Sequence, residues 1–107
     1  MRRILLVAAM AIAVVMFAVV GSASGSGVTV KAKNFAFKPR TVTIHVGDKV
    51  TWKNVEGSHT VTFRSFNFNR TISGNDKVSK TFHHKGTFRY VCTFHIQQGM
   101  KGKVVVQ

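Results

Sequence analysis

Near the end of the chain, Cys92-Thr93-Phe94-His95-Ile96-Gln97-Gln98-Gly99-Met100 sets a thiol, an imidazole and a thioether within nine residues. A thiolate and an imidazole together hold several transition metals. A thioether at close range narrows the choice towards copper, because soft sulfur donors favour Cu(I) while imidazole suits both oxidation states. One Cys, two His and a weak axial Met are a donor set for one-electron exchange at a single copper ion. The second imidazole must come from elsewhere, and His59 is the candidate: it alternates with Val61 and Phe63 and so faces the apolar side of its strand. The expected metal ligands are His59, Cys92, His95 and Met100, with Gly99 free to turn the chain sharply so that Met100 returns to the ion.

Singly these residues carry little. A cysteine at a strand end is usually a small buried hydrophobe, and a lone methionine fills core space. Their combination with an inward histidine is what points to metal. The remaining histidines read otherwise, His45 as an outward strand residue and His83-His84 as a solvated turn.

The elements that must position these donors read as strands. Val28, Val30 and Ala32 alternate with Thr29, Lys31 and Lys33, and extension continues over residues 34–37 until Pro39 interrupts it. Val42, Ile44 and Val46 share one parity. Val46-Gly47-Asp48-Lys49 has the residues of a tight hairpin turn, after which Val50, Trp52 and Asn54 share a face. Phe88, Tyr90 and Cys92 share a face of a strong strand, as do Met100, Val104 and Val106. Residues 64–76 are the least legible, with Ser73-Gly74-Asn75-Asp76 a loop. About seven short strands and no helical periodicity after the N-terminal segment predict an all-β sandwich or barrel.

Met1-Arg2-Arg3, the apolar run 4–20 and small residues at Gly21 and Ala23 have the order of a secretory signal. Residues 1–23 are expected to be a cleaved signal peptide and residues 24–107 one domain, with an uncleaved anchor through residues 4–20 as the alternative. Export implies periplasm or cell surface. A single cysteine excludes an internal disulfide, and copper would occupy a thiol otherwise exposed to oxidation. Residues 24–107 keep 14 of the 16 Lys/Arg against three carboxylates, a formal charge of +11. Such an excess attracts acidic partners and anionic membrane or envelope surfaces over distance.

Cys92-x-x-His95-x-x-x-x-Met100, with His59 on an earlier strand, resembles the cupredoxins, small blue copper proteins of plastocyanin, pseudoazurin and amicyanin type. Phe35-x-Phe-x-Pro39, Val46-Gly-Asp-Lys-Val-Thr-Trp52, Gly57-Ser-His-Thr-Val61, Gly86-Thr-Phe-Arg-Tyr-Val-Cys92 and Gly99-Met-Lys-Gly-Lys-Val104 carry the likeness over most of residues 24–107. The resemblance implies a Greek-key β-sandwich, one type 1 copper ion and single-electron carriage between larger redox proteins. Two positions depart from the relatives' pattern: Thr60, where Asn is common, and Phe94, where Pro is frequent. A hydroxyl at Thr60 is expected to reach Thr93 and tie the two metal-bearing segments together.

The sequence leaves two readings open, an electron carrier and a module that sequesters or delivers copper. An enzyme is not expected, since five histidines with two already assigned do not furnish a further multinuclear cluster. Phe35, Phe37, Phe63, Phe66 and Phe68, interleaved with Lys and Arg, superficially fit a single-strand nucleic-acid platform, but export and the inward parity of Phe63 favour core packing, so no nucleic-acid partner is expected. The expected partners are redox proteins with acidic docking surfaces. The chain itself is read as a monomer whose patch around His95, made of Phe94, Ile96, Gln97 and Gln98, meets them.

Overall fold

Strict alternation lets each strand bury one face, and two such faces packed together exclude water from both. The structure, a computed structural model, describes residues 26–107. Nine strands follow in order: β1 (Gly27–Lys33), β2 (Ala36–Lys38), β3 (Thr41–Ile44), β4 (Lys49–Asn54), β5 (Ser58–Phe63), β6 (Phe68–Ser73), β7 (Lys77–Thr81), β8 (Gly86–Val91) and β9 (Lys101–Val106). They form a four-stranded sheet, β2-β1-β4-β7, and a five-stranded sheet, β3-β9-β8-β5-β6. Parallel pairings of β1 with β4 and β3 with β9 sit among antiparallel ones, so both sheets are mixed. This is the expected all-β sandwich. The signal expected at 1–23 lies outside the described residues. Among the described residues, no helix is long and apolar enough to cross a membrane.

The core is the inward parity of both sheets. Val30, Val50 and Trp52 from one sheet meet Val61, Phe63, Tyr90 and Val104 from the other, all buried. Trp52 lies edge-on to Tyr90 at 5.3 Å and to Phe63 at 5.8 Å between ring centroids. Aromatic side chains of this size each bury roughly 150–250 Å², so this cluster clamps β4 to β5 and β8 across the sandwich.

Three local expectations change. The turn at Gly47 has the positive φ of 97° its sequence demands, but β3 and β4 do not form a hairpin: they belong to opposite sheets. The turn residues specify a reversal without specifying pairing, and with β3 and β4 in opposite sheets Ile44 and Trp52 are both buried in the core between them. Extension over 34–37 also fails. The chain turns at Asn34-Phe35, where the Asn34 amide donates to Glu56 Oε1 at 3.1 Å, and β2 folds back against β1. Finally, residues Thr93–Gln98 form a short 3₁₀ segment where irregular loop was expected.

Candidate metal centre

β8 and β9 are neighbours, with Val91 opposite Lys101, and the pairing extends one step further as the Cys92 amide donates to the Met100 carbonyl at 3.0 Å. That bond pins both sulfur-bearing residues at the neck of one loop. Inside it the His95 amide donates to the Cys92 carbonyl at 3.2 Å, and the Met100 amide to the His95 carbonyl at 3.3 Å. The backbone kinks at His95 (φ −131°, ψ 33°), and Gly99 adopts φ 78°. A left-handed residue there lets the chain return, as expected, and glycine does so without steric cost.

His59 arrives from β5, fully buried beside the equally buried Cys92. Its Nε2–H donates to the Glu56 carbonyl at 2.7 Å. A carbonyl can only accept, so the other nitrogen, Nδ1, keeps its lone pair and faces the centre. Burial depresses the His59 pKa below its ordinary value, the His95 ring adds to that, and the Glu56 carbonyl opposes it. A neutral imidazole with a free lone pair is the ligand form.

His59 Nδ1 lies 3.2 Å from His95 Nδ1, and Cys92 Sγ lies 3.8 Å and 3.5 Å from these two nitrogens. Three edges of this length close a triangle whose centre is about 2 Å from each corner, the length of a metal–nitrogen bond. The structure thus brings together His59, Cys92 and His95, with Met100 buried at the loop's end. Two imidazoles and a thiolate match copper better than a hard cation, so the donors present fit the metal.

The surroundings hold the donors in place. The Thr60 amide donates to Cys92 Sγ at 3.4 Å. Thr60 Oγ1 accepts from the Thr93 amide at 2.8 Å and meets Thr93 Oγ1 at 3.0 Å, the tie expected from the sequence. His45, His83 and His84 are exposed, as read, and do not join the cluster.

Two contributors were not legible. Phe35, read as core, is 46% exposed and lies with its ring centroid 4.7 Å from that of His95. Its only signal was membership in the Phe35-x-Phe-x-Pro39 segment, which says nothing about a partner 60 residues away. Glu56 acts through its carbonyl, and no side-chain pattern encodes that.

Residues 25–107 match the family model of copper binding proteins, plastocyanin/azurin family. Amicyanin-alpha of Methylorubrum extorquens is 36% identical over 95 residues, covering 82% of this chain and 78% of its own length. Halocyanin of Natronomonas pharaonis is 35% identical over 80 residues, 68% of this chain, and the chain spans about half (49%) of that protein. Among solved structures, an oxidized amicyanin variant superposes with a TM-score of 0.68 at 30% identity, over 79% of this chain and 85% of the other.

Proposed function

Because the chain belongs to the copper binding proteins of the plastocyanin/azurin family, we propose that it carries single electrons between larger redox partners, on a copper ion that His59, Cys92, His95 and Met100 would hold. The observation that supports this most is the triangle of two Nδ1 atoms and one Sγ, sized for a metal ion. Bound copper supplies a Cu(II)/Cu(I) couple.

The chain's own task is to keep the donors still. β5 fixes His59, the Glu56 carbonyl sets its tautomer, and the Thr60 amide donates to the sulfur. Donors held this way rearrange little between the two charge states, which favours rapid electron exchange. His95 is only partly buried, and Phe94 and Ile96 beside it are 56% and 45% exposed. We assign this apolar patch as the contact through which electrons pass. With Met100 added to the two imidazoles and the thiolate, four donors would hold the copper without the open position that copper catalysis requires, which supports a carrier over an enzyme.

The partners are redox proteins with acidic surfaces, met by a basic monomer. The basic start, the apolar run 4–20 and the small residues before position 24 support export to the periplasm or cell surface. N-terminal sequencing of the native protein should begin at about Ser24.

Adding Cu(II) to the purified chain should give intense visible absorption from thiolate-to-copper charge transfer, and Cys92→Ser should abolish it. A colourless complex, or colour retained without the thiol, would overturn the assignment.

A further inference from the structure

The three carboxylates of this chain are all committed to backbone amides: Asp48 accepts from His45, Glu56 from Asn34 and Asp76 from Ser73. None is paired with a lysine or arginine among the described residues. The positive charge is therefore unneutralised from within, and its placement decides what can neutralise it from outside.

On the outer side of the five-stranded sheet a groove of about 740 Å³ is lined by Arg40, Arg64, Arg89, Lys101 and Lys103, with no carboxylate in its walls. Arg89 and Lys103 stand directly opposite each other in the β8–β9 register. Like charges so placed oppose strand pairing, and an anion between them turns that repulsion into attraction. Three of the five cations are guanidinium groups, whose planar forks match carboxylates two bonds at a time. The opposite sheet is also basic but differently built. There Lys38, Lys31, Lys53 and Lys77 fall in one cross-strand row, all exposed point charges.

We propose that the arginine-lined groove is the docking site for an acidic segment of the redox partner. This rests on the electron-carrier reading and locates its partner surface. The groove offers room for several carboxylates in succession, which suits a run of Asp or Glu better than one small anion. The lysine row contributes general attraction, and the groove contributes fit.

The test uses the full copper-loaded chain and a synthetic peptide of eight glutamates, titrated at low ionic strength by calorimetry. Arg89→Glu with Lys103→Glu should weaken peptide binding at least tenfold. Lys31→Glu with Lys53→Glu changes net charge equally and should weaken it less than threefold. The neutral pair Arg89→Gln with Lys103→Gln should fall between the first variant and the unaltered chain. Equal losses in the two charge-reversed proteins would reduce the groove to net charge and overturn the proposal, as would absence of peptide binding. Groove-dependent binding to phosphatidylglycerol vesicles tighter than to the peptide would also overturn it, by assigning the groove to lipid. Retained visible absorption in every variant shows that the copper centre is intact. Its absence in the unaltered chain would sink the carrier reading separately from the docking result.

Discussion

At Thr60 one hydroxyl accepts from the Thr93 amide and from the Thr62 hydroxyl, while the amide of the same residue donates to Cys92 Sγ. The hydroxyl thereby orients the residue next to the thiolate, while the backbone amide polarises the sulfur. Loss of the hydroxyl therefore acts on stability directly and on the metal through the position of Thr93 beside Cys92. Thr60→Val keeps the shape and leaves the Thr93 amide unpaired, which should cost about 1–3 kcal/mol in urea unfolding. It should also shift the copper reduction potential in voltammetry, whereas a potential identical to that of the unaltered chain would restrict Thr60 to a packing role. His59 predicts a pH effect in the metal-free protein. Its folded pKa lies below the unfolded value of 6.5, so the unfolded chain takes up the proton first. Stability from this residue is complete above 6.5 and is lost as pH falls through the folded value. Thermal unfolding of the metal-free chain should move to lower temperature on acidification below about 6.5, and His59→Gln should flatten that dependence.

The β8–β9 hairpin decides where the loop residues can go. Its register is fixed by Tyr90 opposite Gly102, and at Gly102 a Cβ would come within 2.5 Å of the Tyr90 hydroxyl oxygen and 2.8 Å of the Arg40 carbonyl oxygen. Tyr90 is buried against Trp52 and Phe37 and has little room to yield. Gly102→Ala should therefore destabilise the fold by roughly 1–3 kcal/mol, the range for overpacking a full core. Because the strain falls at the neck of the metal loop, it should also speed copper release to a chelator. An alanine protein with unchanged release and stability would mean that β9 can shift without disturbing the loop. At this scale the sequence was a good guide to burial and a poor one to connectivity. The parity of Phe88, Tyr90 and Cys92, and of Met100, Val104 and Val106, follows from the period of a strand and needs no partner. Whether β3 and β4 pair or part into opposite sheets depends on which inward faces meet, and the residues at Gly47 serve either outcome.

Over the whole molecule, a domain of about 80 residues has marginal stability of its own, and a ligand that binds only the folded state adds to it by mass action. Copper-loaded protein should unfold at higher temperature than metal-free protein, and Cys92→Ser should remove most of that difference. The sequence by itself determined the donor types, the buried side of the strongly alternating strands and the sign of the surface charge, because composition, spacing and period are properties of the chain before it folds. Tertiary structure alone decided that Phe35 leaves the core to lie on His95, that the Glu56 carbonyl sets the His59 tautomer, and that five cations from separate segments share one groove. These are contacts between residues far apart along the chain, and only the packing of two sheets brings them within reach.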